Sequence, residues 1–563
     1  MTRHRIMAVT STLAVTAGLI TVVPPPATAV GVVASTVVGS DGRTYTAENH
    51  LTRSARTHQP RSYLLSWAGS ADASSPDFLA VIDATQHSPS YGEVVNTVTL
   101  APQLQNEPHH MQYVWHEGDR IYAGGILSDT VYTFDTRRLP ALDLVGVTVS
   151  QDTPCGSAPD AFVALEDGRA YGSYVGGPDV AGPCTYTNGE VREGNGFAGS
   201  PGEIVLFDRD GQVISEIPAT PATAEDPEIC GNVPSLAAAT CANPHGIQVR
   251  EDLNRLVTSD FAEVSSFLEG EVFDETLVRD TVRVFDITDR SNPTLLSVSH
   301  LPVGPRAPIE QLPLWNESRV VMENAVTHLP HHRGAFASTM FGGAIYYTPD
   351  ITVPDPQWRE VFDDSTAYHT FGTLLGGADG GSWLAVSPDD RFLFHAVIGT
   401  QLDAPAGATS GMVYALDIRR LLAAGSDPQC HIDTLAEVTQ GGGEPDCPTV
   451  AGVLPVEDAT SGGPHWGALD NFQSGVRGYR ETSRVTRMAV SNYFVAPLGV
   501  DGDHRVCMIK ISPTGDLSVD SRFRDELTGQ PCVSFNRGVW PHGAHGDARP
   551  HGVLFVVNNR PGW

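Results

Sequence analysis

An all-β, seven-bladed β-propeller is the fold that three features of this 563-residue sequence predict. The first is a recurring strand with apolar residues at alternate positions, closed by aspartate. It is found as LAVID ending at Asp83, VYTFD at Asp135, EIVLFD at Asp208, VRVFD at Asp286, AIYYTPD at Asp350 and MVYALD at Asp417, with a degenerate copy, CMIKIS, ending at Ser512. The second is a hairpin pattern, two apolar runs around an acidic or Asp-Gly turn, in ALEDGRAYGSYV, VREDLNRLVTSDF and VSPDDRFLFHAVI. The third is the lack of any long amphipathic helix in a chain with 56 Gly and 41 Pro. A small sheet cannot bury both its faces alone, so repeated copies of one unit with variable loops stack around an axis. Seven copies mean seven blades.

Taken in order, the chain opens with Arg3, His4 and Arg5, an apolar run from Ile6 to Val23, and the small residues Ala27-Thr28-Ala29. That is the form of a cleaved secretory signal over residues 1–29, so the mature protein is expected to be secreted and to begin near Val30. No later apolar run is long enough to span a bilayer, so no membrane association is expected of the mature form. Residues 30–61 read as a polar leader and 62–563 as a single propeller domain, since a propeller lengthens by adding blades rather than domains. The C-terminal HGVLFVVNN is the expected last strand that closes the ring. Ala219–Pro234 and Asp427–Gly463 show no strand pattern and read as rim insertions. A net charge of -31 argues against nucleic acid, whose phosphates it would repel, and fits a monomer kept apart by its own charge.

Eight cysteines, all beyond the signal, favour disulfides in an exported chain. In sequence order they form four local pairs: Cys155 with Cys184, Cys230 with Cys241, Cys430 with Cys447, and Cys507 with Cys532. Sequence alone leaves the connectivity open. There is no CxxC, which argues against thiol redox chemistry.

The stretch that carries chemistry runs from Pro76 to Trp115, PDFLAVIDATQHSPSYGEVVNTVTLAPQLQNEPHHMQYVW, where a loop after two strands presents His109-His110. Imidazole is the commonest protein ligand for copper and zinc. Side chains adjacent in a strand point oppositely, so one of the two is expected to face a metal and the other a backbone group. This order of parts resembles the opening blade of the selenium-binding protein family, which includes the bacterial methanethiol oxidases. Further segments match in order: EGNGFAGSPGEIVLFDRDGQVISEI, HLPHHRGAFAS, GGSWLAVSPDDRFLFHAVIG, GGPHWGAL and AHGDARP.

The resemblance places His328 and His545 on family histidines, and His465 where the family has glutamine. Three departures stand out. Ser66 occupies the place of the family's selenium-carrying cysteine, Asp160 and Val163 stand where a P-H-x-x-H pair is usual, and Gly546 replaces a glutamate. Asp160 is expected to be a structural aspartate in a turn, with service as an oxygen ligand in place of the family histidine as the alternative. The resemblance implies copper held by His109, His110, His328 and His545, and oxidation of a small thiol: methanethiol, O₂ and water to formaldehyde, hydrogen sulfide and hydrogen peroxide. His245, in a Pro-His-Gly at the start of a strand, and His465 are further candidate ligands. So is His542, one of three histidines with His545 and His551 in WPHGAHGDARPHG. Two other readings stay open, a non-catalytic propeller that binds a partner or a metal, and a Ca²⁺-dependent lactonase-like hydrolase. No G-x-S-x-G, P-loop or EF-hand loop is present.

Overall fold

The computed structural model describes residues 31–221, 242–268, 277–305, 317–340, 343–364, 380–398, 411–426, 430–432, 437, 447–456, 463–476, 478–495 and 501–559. Seven antiparallel sheets stand around one axis. Their innermost strands are Ala548–Val557 (blade 1), Pro108–Met111 (blade 2), Ser157–Ala164 (blade 3), Pro244–Arg250 (blade 4), Val321–Val326 (blade 5), Gly381–Val386 (blade 6) and Trp466–Leu469 (blade 7). Each touches the next, and blade 7 touches blade 1, so they line a central channel. The ring closes as expected from HGVLFVVNN: the C-terminal strand pairs with Ser62–Ser70 of blade 1, Tyr63 opposite Val556.

Every copy of the aspartate-closed repeat is the third strand from the axis of its blade. The closing residue has one job throughout. Asp83, Asp135, Asp208, Asp286, Asp350 and Asp417 each accept, through Oδ1, the backbone N–H two residues on, at 2.7, 2.7, 2.9, 2.8, 2.8 and 3.1 Å. Such a bond starts the turn to the outer strand. Ser512 makes the same bond from its hydroxyl to Thr514 N–H, at 3.2 Å, which is why the degenerate copy still works.

Residues 31–61 are not a separate leader. Gly31–Val38 and Thr44–Leu51 form a hairpin, and Thr46–Asn49 pairs with the outer strand Val94–Ala101. Blade 1 thus has six strands. The turn needs Gly42, whose φ is +76°, and the added hairpin covers an otherwise open sheet edge. The described helices are short, as at Arg53–His58.

The expected pairs Cys155–Cys184, Cys430–Cys447 and Cys507–Cys532 are bonded. Cys230, Cys241, the signal segment 1–29 and most of the two expected rim insertions lie outside the described residues, but Thr449–Pro455, inside the second, is the outer strand of blade 6, paired with Met412–Asp417. Three disulfides fit a protein folded outside the cytoplasm. Among the described residues no helix is long and apolar enough to cross a membrane.

Candidate metal centre

The channel is built by one backbone irregularity used repeatedly. In blades 1 to 6 the pairing of the inner strand with its neighbour slips at the same place: three steps on the inner strand match two on the second. Pro108 and Met111 face Gly125 and Ala123, Pro159 and Phe162 face Tyr174 and Gly172, and Pro244 and Ile247 face Asp260 and Thr258. Val321–Asn324, Gly381–Leu384 and Pro550–Val553 repeat it. Each is a β-bulge, which re-aims side chains beside it. The bulged pairs are His109-His110, Asp160-Ala161, His245-Gly246, Met322-Glu323, Ser382-Trp383 and His551-Gly552. In blade 7, His465 immediately precedes the inner strand.

These residues meet in one buried cluster in which His109, His110, Asp160, His245, Glu323, Ser382, His465 and His551 are each at most 3% exposed. His110 lies between two groups. Its Nε2 is 2.7 Å from His465 Nε2, and its Nδ1 is 2.6 Å from Asp160 Oδ1. Asp160 also stands 3.4 Å from His109 Nε2 and 3.3 Å from His245 Nε2. His245 Nδ1 is 3.1 Å from Glu323 Oε1, and Glu323 Oε2 accepts the Tyr113 hydroxyl at 2.5 Å. The His551 ring is 4.1 Å from that of His109 and 4.8 Å from that of His465, centre to centre. One donor atom each from His109, His110, His465 and His551 lies within 4.8 Å of the others, and the same holds for His109, His110, Asp160 and His245.

The hydroxyl of Ser382 sets the form of His465. It donates to His465 O at 2.6 Å and stands 2.8 Å from Nδ1. With its one proton on the carbonyl, it accepts from Nδ1–H, which leaves Nε2 with a free lone pair facing His110.

Burial, and then the neighbouring imidazoles, hold His109, His110, His465 and His551 well below the ordinary 6.5, so all four are neutral donors. Burial lifts the Asp160 carboxyl well above its usual range; Glu323 adds to this and His245 opposes it. For His245 burial acts downward, but Asp160 and Glu323 outweigh it and the net shift is upward. Both nitrogens of His551, Nδ1 of His109, both oxygens of Asp160 and Oε1 of Glu323 lack a well-formed hydrogen bond. The Asp160–His110 contact is close but out of line. Buried polar atoms without partners are costly, and a cation is what this set of donors would satisfy. Imidazole suits copper, zinc and iron.

Aromatic rings fix the walls. Trp466 stacks on His110 at 4.0 Å, Phe494 lies 4.7 Å from His465 and Phe261 5.0 Å from His245. An apolar vestibule of about 40 Å³, walled by Ile126, Leu127, Val175, Phe261, Val264 and Phe494, leads to His109 and His245. No arginine or lysine is among the described residues lining it. A wider chamber of about 430 Å³ lies on the Tyr113 side of the cluster, bordered by His116, Gln248, His328 and Glu481.

Of the residues singled out in the sequence, His109, His110, His245 and His465 come together. The expected opposite pointing of His109 and His110 fails because the bulge breaks the strand's alternation there. Asp160 is in an inner strand facing the cluster, not in a turn. His328 is elsewhere: it borders the wider chamber, with Nε2 3.0 Å from Val386 O and its N–H donating to Asp390 at 2.6 Å. His545 and His542 stack on each other in a loop beside blade 1. His545 Nδ1 is 3.3 Å from Ser75 Oγ, and His542 Nδ1 is 2.8 Å from Thr97 Oγ1. Neither belongs to a group of metal-type donors among the described residues. Blade 1 contributes His551 in their stead. A signal for it exists: Pro-His opens the bulge at Pro108-His109, Pro244-His245 and Pro550-His551, Pro159-Asp160 is the same position in blade 3, and Pro464-His465 immediately precedes the unbulged inner strand of blade 7. Glu323 has no such signal.

No protein-family model and no curated protein matches the chain. Among solved structures, a hypothetical selenium-binding protein from Sulfolobus tokodaii is similar at a TM-score of 0.55 and 13% identity, over 88% of this chain and 94% of that one. A putative 6-phosphogluconolactonase from Bacteroides uniformis aligns at a TM-score of 0.44 and 13% identity, over 88% of this chain and 100% of its own. The periplasmic gluconolactonase PpgL of Pseudomonas aeruginosa aligns at 0.45 and 12%, over 88% and 99%. The likeness to the first is one of fold.

Proposed function

We propose that the protein is an exported, copper-dependent oxidase of small thiols, of the methanethiol oxidase kind. The observation that carries this reading is the set of four buried, neutral imidazoles, His109, His110, His465 and His551, of which His109 lines an apolar vestibule. Copper held by that set would bind a soft thiolate and exchange electrons with O₂. The remaining work belongs to the chain. The vestibule is mostly apolar, and its described lining holds no arginine or lysine to pair with a phosphate. Phe261, Phe494 and Trp466 exclude water from the histidines and hold their rings. Ser382 keeps His465 Nε2 unprotonated.

The carboxylates of Asp160 and Glu323 in the channel favour a second reading, a cation-dependent lactonase-like hydrolase. Metal identity and substrate separate the two. The test is elemental analysis of the secreted chain, purified without chelator or His-tag, with assay of H₂O₂ release from methanethiol. Copper, lost together with H₂O₂ release in the His465→Ala/His551→Ala double variant, is the expected result. Absence of copper after reconstitution, or undiminished release from the double variant, would sink the oxidase reading.

A further inference from the structure

We infer that the cluster is a two-ion centre in which the His110 imidazole bridges a copper position on the His465–His551 side and a second divalent-cation position formed by Asp160 and His245, with Glu323 behind them. This rests on the metal-site reading above and goes beyond its single copper.

Three observations carry it. The donors form two sets, not one: four imidazoles, and an imidazole–carboxylate set, with His109 and His110 common to both. The two nitrogens of His110 face opposite sets, Nε2 toward His465 at 2.7 Å and Nδ1 toward Asp160 Oδ1 at 2.6 Å. Two nitrogens each about 2 Å from one ion and at right angles are about 2.8 Å apart, so each contact has the span of two ligands of one ion. His110 cannot direct both nitrogens at a single ion, because they diverge from opposite sides of the ring.

Finally, the second set holds carboxylates where the first holds none. Asp160 and Glu323 are at most 1% exposed, and Asp160 Oδ1 and Oδ2 and Glu323 Oε1 have no well-formed hydrogen bond. A cation at this position answers that deficit. Glu323 is held at Oε2, which lies where an added Cβ on Gly246 would come within 2.8 Å and which accepts the Tyr113 hydroxyl, so Oε1 is left facing His245. The second set adds hard carboxylate oxygens, which suit manganese or ferrous iron as well as zinc, whereas the first offers imidazole alone, so the two positions differ in preference.

The experiment is reconstitution of the metal-free mature chain with excess Cu²⁺ alone and with one equivalent of Cu²⁺ followed by Zn²⁺, read by elemental analysis and electron paramagnetic resonance. About two ions per chain are expected. Loaded with copper alone, the protein should show a signal attenuated by spin coupling through His110; zinc in the second position should restore it. Asp160→Asn, which keeps side-chain volume, and separately His245→Ala should each lower the count to about one while leaving copper bound and its signal uncoupled. Saturation of the folded wild type at one ion per chain overturns the proposal, and two coppers without spin coupling overturn the bridge. Two ions without H₂O₂ release from methanethiol would refute the oxidase reading and leave this one standing. A single copper with release would do the reverse.

Discussion

Ser382→Ala should weaken copper binding by about 10- to 100-fold without touching a metal ligand. The magnitude follows from the bonds lost. The hydroxyl serves His465 twice, donating to its carbonyl at 2.6 Å and standing 2.8 Å from Nδ1. The carbonyl keeps another donor, the Trp383 N–H at 3.3 Å, whereas Nδ1 loses its hydrogen-bond partner. One buried donor left unpaired costs about 1–3 kcal/mol in the metal-free protein. The same loss frees the imidazole to move its proton to Nε2, the nitrogen that faces His110, and a protonated nitrogen cannot ligate. A 10- to 100-fold change in affinity is about 1.4–2.7 kcal/mol, the same size as the bond removed. Competition against a chelator of known copper affinity measures it, with a thermal melt of the metal-free form alongside. Affinity within about twofold of wild type, in a variant that melts earlier, would refute the reasoning: Ser382 would then pack the channel without setting the histidine.

Other consequences are open to direct test. Burial pushes the Glu216 carboxyl up to about 7, against the Cys155 N–H that it accepts at 2.8 Å and a hydrogen bond with Glu203, both of which act downward. The folded protein therefore keeps this proton where the unfolded chain has released it, and stability falls as pH rises from the unfolded value near 4.5 through about 7. Glu216→Gln removes that dependence, so urea titrations should show wild type losing about 2 kcal/mol relative to the variant between pH 5 and 8, after allowance for partial exposure; parallel profiles would contradict this. Replacing Cys155 and Cys184 by alanine opens a loop of sequence separation 29 and should lower unfolding stability by about 3–4 kcal/mol, seen as an earlier denaturant midpoint; an unmoved midpoint would show that the staple is idle. Gly552→Ala puts a Cβ 2.8 Å from Met111 Cγ and 2.9 Å from His109 O, forcing the inner strands of blades 1 and 2 apart. A loss of about 1–3 kcal/mol and of metal per chain is expected, and unchanged melting and occupancy would count against the close approach.

The frame was legible in the sequence because it rests on local physics. Asp83 and its five counterparts mark a turn that each makes with its own backbone two residues on, so the signal survives in any context. The site rests on tertiary register and was read only in part. Adjacent His109 and His110 had to be treated as facing opposite ways, since nothing in PHHM announces the extra residue against Gly125 and Ala123. His545 and His551 sit six positions apart in the same His-rich segment, and only the pairing of Pro550 with Ala68 shows which of them reaches the axis. The hairpin of residues 31–51 is hard to see in the sequence because Gly31–Val38 carries small and apolar residues on both faces with no polar alternation, and only Thr44–Leu51 has a polar outer face.

The bulge itself explains why a propeller can assemble such a cluster at little cost. An inner strand is laddered on one side only, so an extra residue disturbs one set of hydrogen bonds and leaves the channel edge free. Proline opens the bulge in blades 1 to 4, yet Val321 and Gly381 open the same bulge in blades 5 and 6, so proline is not required for it. What varies is the payload. Blades 7 and 1 contribute His465 and His551, and blades 3, 4 and 5 contribute Asp160, His245 and Glu323. Blade 2 stands between these arcs and alone contributes two histidines. An imidazole placed there meets nitrogen donors on one side and carboxylates on the other, so the divided character of the centre follows from the order of the blades.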